Sequence, residues 1–550
     1  MNHLSGMDAS FLHLETPETP MHVGGMHTLE LPAGYKGDFY EDFKQHIANR
    51  LHISDVFTRK LALMPFELSN PVWVEDDEVD IDYHIRRVTL PKPGTHRQLE
   101  QYVARLHSSL LDRSRPLWEF FVIDGLESER ETRRVALYTK VHHAGIDGQA
   151  GVALATAIMD ATPEPKAVRP PRQPRRSHGY QLGMAELASA AISNTFAQYV
   201  KLVKTLPDMA RALQSVVMPQ PGSDGKRKWN IAKDIKLLGP KTLFNVAITN
   251  QRAYAGRSIP LAETKQIGKR FGVSLNDVVL ATCGGALRRY LSEYNALPKN
   301  PLTAAVPVSL REQGNTDANN QVSMTVMTLA TDVEDPIERL QIIHTSSAAA
   351  KTLMGNFKAA IPTDFPSFGA PWLISGLASM YGRSGLANAL PPIANVAVSN
   401  VPGAQMPLYV CGARMLSYFP VSIPTHGVAL NITVQSYNGS LDYGLIACRR
   451  AVPDVADLAD FMVAEHRKLL ALAIKVAAAD AAALAKDAPA AALQEVSEPA
   501  KKRVPSKKAA KGNGATTAKR ASPRGTARTT AKTTAKTTVR KARTSASAVR

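Results

Sequence analysis

The sequence predicts a mixed α/β protein: two domains of mixed sheets with flanking helices, followed by a disordered basic tail. Three observations carry this. The chain has 550 residues, 44% of them hydrophobic, which is more than one core organises and enough to fill two. Short β-rich runs alternate with helical runs through residues 1–476. The formal charge of +18 sits almost wholly at one end, because residues 501–550 hold 16 Lys or Arg and no Asp or Glu, leaving +2 for residues 1–500.

Taken in order, the first twenty residues, MNHLSGMDASFLHLETPETP, have neither a basic start nor an apolar run, so no signal peptide is expected. No window reaches the roughly 18 apolar residues that a spanning helix needs. Within an N-terminal domain over 1–165, LWEFFVIDGL (117–126) and RVALYTKVHHA (134–144) read as strands separated by a charged loop. Residues 162–177, TPEPKAVRPPRQPRRS, are Pro/Arg-rich and open a linker and helical connector over 166–234, with an Ala-rich helix at 184–206 and a break at 219–226.

A C-terminal domain is expected over 235–476. There TAAVPVSL and ANVAVSNV read as strands, and GVALNITVQSY (427–437) and SLDYGLIA (440–447) flank Asn438-Gly439, a strong hairpin signal. SLNDVVLATCGGALRRYLSEY (274–294) reads as a helix with Ser274 and Asp277 as its capping box. Residues 455–476 form an amphipathic helix that turns Leu458, Phe461, Met462, Leu469 and Leu472 toward a core. Residues 477–550, rich in Ala, Lys and Thr, lack the apolar surface to offset the entropy of ordering. Cys283, Cys411 and Cys448 show neither metal-ligand spacing nor a disulfide framework, which fits buried thiols in a reducing compartment and no metal site.

The segment that carries chemistry is Val141-His142-His143-Ala144-Gly145-Ile146-Asp147-Gly148. Strand alternation puts Val135, Leu137, Thr139, Val141 and His143 on one face, and Ala136, Tyr138, Lys140 and His142 on the other. Two adjacent histidines at a strand end then point opposite ways, so one acts and the other holds structure. A neutral imidazole takes a proton from a hydroxyl near pH 7, which is worth about 10²–10⁴ in rate. Asp147 is placed to orient the loop through an arginine partner.

His142-His143-Ala144-Gly145-Ile146-Asp147-Gly148 resembles the HHxxxDG motif of CoA-dependent acyltransferases and peptide condensation domains. LSGMDASFLHLE (4–15), DRSRPLWEFFVIDGL (112–126), SLNDVVLA (274–281), AVPVSLR (305–311) and SNVPGAQMPLYVCGA (399–413) narrow the likeness to the bacterial wax ester synthase/acyl-CoA:diacylglycerol acyltransferase family. The resemblance implies two chloramphenicol-acetyltransferase-like domains with the active site in a tunnel between them. It also implies acyl-CoA as donor, a diacylglycerol or fatty alcohol as acceptor, and no cofactor.

By the same likeness His143 is the general base, His142 holds structure by packing on the opposite face of the strand, Asp147 sets the loop geometry, and Gly148 completes the motif. Asn276 and Asp277 either line the tunnel or cap their helix. Pro116, Leu117 and Trp118 support the site wall, and Asn400 belongs to the second domain's contribution. Membrane-soluble substrates imply a cytoplasmic enzyme held peripherally at a membrane or lipid droplet, with 184–206 and 357–390 as contact segments. The basic tail suits nucleic acid or anionic lipid. Two other readings stand beside this one: a condensation-type enzyme using carrier-bound acyl groups, and a polyanion-binding protein acting through its tail.

Overall fold

The computed structural model describes residues 2–62, 70–128, 132–146, 148–168, 239–309, 322–357, 380–382 and 384–487. Asp147, the expected helix at 184–206, most of the 357–390 segment and the basic tail lie outside the described residues. Nearly all of the described residues belong to one compact unit, Met1–Lys486.

The first half supplies β1 (Asn2–His3), α1 (Gly6–Leu14), β2 (His22–Glu30), α2 (Phe39–Ala48), β3 (Arg59–Ala62), β4 (Val72–Glu75) and α3 (Ile81–His84). It continues with β5 (Ile85–Thr89), α4 (His96–His107), β6 (Trp118–Asp124), β7 (Arg134–His142) and α5 (Gly148–Ile158). The second half supplies β8 (Arg252–Pro260), α6 (Leu261–Phe271), α7 (Leu275–Glu293), β9 (Thr303–Ser309), β10 (Val322–Thr328), α8 (Pro336–Phe357) and α9 (Leu386–Ala389). Then come β11 (Val396–Val401), β12 (Tyr409–Val410), β13 (Ala413–Val421), β14 (Leu430–Tyr437), β15 (Ser440–Cys448) and α10 (Val455–Asp487).

Two six-stranded sheets organise the unit, one in the order β12-β13-β2-β7-β6-β5 and the other β10-β9-β11-β14-β15-β8. Both are mixed: β5 runs parallel to β6, β11 runs parallel to β9 and β14, and the other pairs are antiparallel. Strands β6 and β7 lie inside the sheet and are buried on both faces, as in a sheet covered on two sides. Leu29, Phe43, Trp118, Phe120, Val135 and Leu137 fill one side of the first sheet. Met26, Phe121, Ala136 and Tyr138 fill the other, with Leu99 and Val103 of α4. The second sheet packs on α7 and α10. Its expected hairpin is present, with Asn438 and Gly439 at φ of +42° and +83°, as a type I′ turn needs.

The sheets do not follow the expected division of the chain. Residues 409–421, deep in the second half, join the first sheet, where β13 pairs with β2 from Arg414↔Glu30 to Val421↔Gly24. This strand also welds the sheets together. Gly256 and Gly444, paired across β8 and β15, leave room for it, since a Cβ on Gly444 would lie 1.8 Å from the Pro420 carbonyl oxygen. Tyr254 donates its hydroxyl to the carbonyls of Phe419 and Pro420, 3.3 Å each. The C-terminal helix runs on to Asp487 instead of ending near residue 476, because alanine keeps propagating a helix where apolar contacts stop.

Candidate active site

Strand β7 delivers the two histidines. Its last register pair is His22↔His142, and the His142 N–H donates to the Leu117 carbonyl at 2.9 Å. The sequence placed His143 on the strand as well, but the strand stops at His142. There the His142 Nδ1 accepts the Ala144 N–H at 3.1 Å and opens a short 3₁₀ turn, His143–Gly145. The His143 N–H meanwhile donates to the Met21 carbonyl at 2.8 Å. His142 is fully buried, and His143 is half-buried.

Because Nδ1 of His142 accepts, its proton sits on Nε2, which lies 3.3 Å from the Glu15 Oε1. That contact is at ion-pair distance with the N–H aimed off the oxygen. Glu15 is held from three other directions: Met21 N–H donates to Oε1 at 3.0 Å, while Arg113 Nε and Nη2 donate to Oε2 at 3.1 and 2.7 Å. Arg113 Nη2 also reaches the Leu12 carbonyl at 2.8 Å, tying in the end of α1. Burial pushes the Glu15 carboxyl up, but His142, Arg113 and the Met21 N–H outweigh it and hold the pKa at about 2. Glu15 is therefore an anion across the working pH range.

His143 lies against the Phe11 ring of α1, centroids 3.9 Å apart and planes within 17°. Its Nδ1 is enclosed without a hydrogen-bond partner. Burial lowers its pKa to about 4, its own main-chain carbonyl opposes that, and neighbouring His142 adds to it. The ring is neutral at pH 7, and neither ring nitrogen is hydrogen-bonded to the described residues.

The remaining expected residues divide in two. Pro116, Leu117 and Trp118 stand with the histidines: Leu117 supplies the carbonyl under His142 and packs with Leu4, Leu12 and Ala144 beneath α1. Trp118 is core. Its indole N–H donates to the Phe57 carbonyl at 3.2 Å, and its ring stacks on His84 at 4.2 Å. Gly148 begins α5 directly after the turn.

Asn276, Asp277 and Asn400 belong to the second sheet's layers and share no hydrogen bond or ion pair with the histidines among the described residues. Asp277 completes the expected capping box with Ser274 and is buried. Its Oδ2 accepts from His344 Nδ1 at 2.7 Å, and its Oδ1 from Ser347 Oγ at 2.5 Å, so this carboxylate ties α7 to α8. Asn276 sits half-exposed in the same first turn, and Asn400 pairs with Val434 across β11 and β14.

Sequence reasoning missed Glu15, Arg113, Phe11 and Met21 as parts of the site. The signal was present, since LSGMDASFLHLE and DRSRPLW carry three of them, but no spacing rule joins residues 98 apart. Together these groups place a neutral, partly accessible imidazole, His143, beside a second histidine, His142, that is backed by the buried, clamped Glu15 anion. Among the described residues no three His, Cys, Asp or Glu side chains gather as a metal site, and no helix is long and apolar enough to cross a membrane.

Comparison with known proteins identifies the family. The model of the wax ester synthase/diacylglycerol acyltransferase catalytic domain matches residues 4–279, and that of the WS/DGAT C-terminal domain matches 318–469. A putative diacylglycerol O-acyltransferase of Mycobacterium tuberculosis (strain H37Rv) is 37% identical over 452 residues, 82% of this chain and 96% of the relative. The O-acyltransferase WSD of Acinetobacter baylyi is 34% identical over 460 residues, 83% of this chain and 94% of its own. The solved wax ester synthase/diacylglycerol acyltransferase from Marinobacter aquaeolei VT8 superposes with a TM-score of 0.61 at 31% identity, over 86% of this chain and all of that one. With both family domains matched and nearly the whole length of each relative spanned, this chain belongs to the wax ester synthase/diacylglycerol acyltransferase family and is an acyl-CoA-dependent O-acyltransferase.

Proposed function

We propose that His143 is the general base of this acyl transfer and that His142, Glu15 and Arg113 hold it in place. The observation that supports this most is the asymmetry of the pair. Both nitrogens of His142 face protein groups, whereas His143 is neutral with no nitrogen hydrogen-bonded to the described residues. With Nδ1 enclosed, Nε2 is the nitrogen left for substrate. The acceptor hydroxyl gives its proton to Nε2 as its oxygen attacks the thioester carbonyl of acyl-CoA. The tetrahedral oxyanion collapses, the C–S bond breaks, and the protonated His143 returns the proton to the CoA sulfur. The products are the ester and free CoA thiol, and the step needs no other reactant. Closing the site to water suppresses hydrolysis of the thioester.

The acceptor is a diacylglycerol or a long-chain alcohol, as the names of the relatives suggest. Asp147 fixes the loop and Gly148 lets the chain turn into α5. Asn276 offers a donor at a helix start for substrate or oxyanion, and Asn400 contributes geometry from the second sheet. The enzyme works from the cytoplasm at a membrane or lipid-droplet surface, where both substrates dissolve. Residues 501–550, with 16 positive and no negative side chains, suit an anionic membrane or nucleic acid. Truncation after Ala500 should abolish salt-sensitive binding to anionic vesicles or DNA while sparing turnover, and unchanged binding would refute the tail's part. For the base, thiol release from palmitoyl-CoA that requires an added acceptor and disappears in His143→Ala is the expected result. Release that survives the substitution would remove His143 from the mechanism.

A further inference from the structure

Away from the histidines, α4 and the start of β8 enclose a cavity of about 180 Å³. Arg97 and Arg105, on one face of α4, line it together with Arg252 and Arg449. Its one acidic side chain, Glu100, is already satisfied: Oε1 accepts from the Gly256 N–H and from Arg257 Nη1, each at 2.8 Å, and lies 3.3 Å from His96 Nε2. Arg97, Arg105 and Arg449 are exposed and form no ion pair among the described residues. Arg252 is buried and donates Nη2 to the Glu18 carbonyl at 2.6 Å and Nη1 to the carbonyls of Thr249 and Gln251, while its Nε is enclosed without a partner. Four arginines thus line one cavity against a single carboxylate, which favours an anionic occupant.

The geometry points to this cavity as the subsite for the phosphate groups of the acyl-CoA donor, an assignment that rests on acyl-CoA being the donor. Position supports it as well as charge. Helix α4 runs from the cavity to His107, whose ring meets His22 at 4.5 Å, and His22 is the register partner of His142. The rise of the helix sets Arg97 back from His107 by about 15 Å, while Arg105 stands within a turn of it, so the basic lining extends away from the histidines along α4. In an acyl-CoA the phosphates lie at one end of the long pantetheine arm and the thioester at the other. A phosphate subsite set back from the base therefore matches the donor better than one beside it. Arg252 connects the two places, because Glu18 lies in the 15–21 segment that brings Glu15 and Met21 to the histidines.

The test uses the full chain with Arg97→Ala, Arg105→Ala and Arg449→Ala combined, three exposed positions whose loss leaves the core intact. Free CoA binding is measured by calorimetry, and KM and kcat are measured for palmitoyl-CoA and for S-palmitoyl-pantetheine, which lacks the nucleotide phosphates. The expected result is a rise of at least about tenfold in the CoA Kd and the palmitoyl-CoA KM, with kcat and the KM for S-palmitoyl-pantetheine unchanged. Unchanged CoA binding, or an equal rise in KM for both donors, would overturn the assignment. Loss of binding to phosphatidylglycerol vesicles with CoA affinity intact would overturn it too, in favour of a lipid headgroup. Calorimetry needs no turnover, so weakened CoA binding supports the subsite even if acyl transfer itself were to fail.

Discussion

The strands of the first six-stranded sheet bury six ionisable side chains, His22, His27, Glu119, Asp124, Lys140 and His142, whereas those of the second, equal in number, bury Arg252 and Asp442 beside the neutral Thr303, Asn431, Thr433, Gln435 and Ser436. Neutral groups of the second sheet find partners close at hand, as where Thr433 donates to Asn431 at 2.9 Å, although the buried Tyr443 hydroxyl has none among the described residues. Asp442, although burial pushes its pKa up, accepts from Ser258, Ser440 and the Tyr418 N–H. The first sheet keeps a buried Lys140–Glu119 pair at 2.9 Å and leaves the Nδ1 atoms of His22, His27 and His143 without partners. Buried charge seldom adds net stability over an apolar filling. Buried ionisable groups thus concentrate in the strands of the sheet that ends at the histidine pair.

The largest effect that distinguishes the two sheets should come from the pair itself. His143→Ala is expected to lower kcat about 10²–10⁴-fold with little change in melting temperature. His142→Ala should cost less turnover and more stability. Equal losses from the two, in folded protein, would show that the division of labour is wrong. Next in size are Glu15→Gln and Arg113→Met. Each loosens the anchor behind His142 and should lower kcat about 10–100-fold while leaving the acyl-CoA KM nearly unchanged. A rise in KM alone would make these residues part of a binding surface instead.

Acid provides a graded test. His22, His27, His107 and His143 all have folded pKa values below the usual 6.5, chiefly through burial, with His27 and His107 at about 3 and His143 at about 4. A depressed histidine takes up its proton more readily when unfolded, so each contributes stability above pH 6.5 that is lost as pH falls toward the folded value. Hydrogen exchange should therefore show the first sheet losing protection before the second between about pH 6.5 and 4. The same depression predicts that kcat/KM stays flat down to about pH 5 and falls only as His143 protonates near 4. A fall centred at 6.5 would mean that the base is not enclosed as described.

The smallest expected effects lie in the second sheet's layers. Asp277→Ala removes a cap and the links to His344 and Ser347, and should cost about 1–2 kcal/mol of stability with turnover largely kept. Asn276→Ala should lower turnover modestly at constant melting temperature. The opposite pattern would make Asn276 purely structural.

Much of this was legible in the residues. The β-rich runs ending in β7, the Asn438-Gly439 hairpin and the Ser274/Asp277 capping box are local, so periodicity and turn chemistry reveal them. The parity of β7 also held: Val135 and Leu137 face one core, and Ala136 and Tyr138 the other. It failed one residue further, at His143, because the side chain of His142 rather than a neighbouring strand took the next N–H. What stayed hidden was non-local. Strand β13 joins the sheet of the other half, and Glu15 meets Arg113 and His142 only after folding. No residue in LSGMDASFLHLE announces by itself that its last carboxylate will stand behind a histidine 127 positions on.

Whether His143 takes the acceptor's proton is decided by thiol release from palmitoyl-CoA, with hexadecanol or a diacylglycerol added, for the unmodified chain, His143→Ala and His142→Ala. Acceptor-dependent release that disappears in His143→Ala and persists at a reduced rate in His142→Ala is the predicted result. Undiminished release from His143→Ala would mean that another group takes the proton.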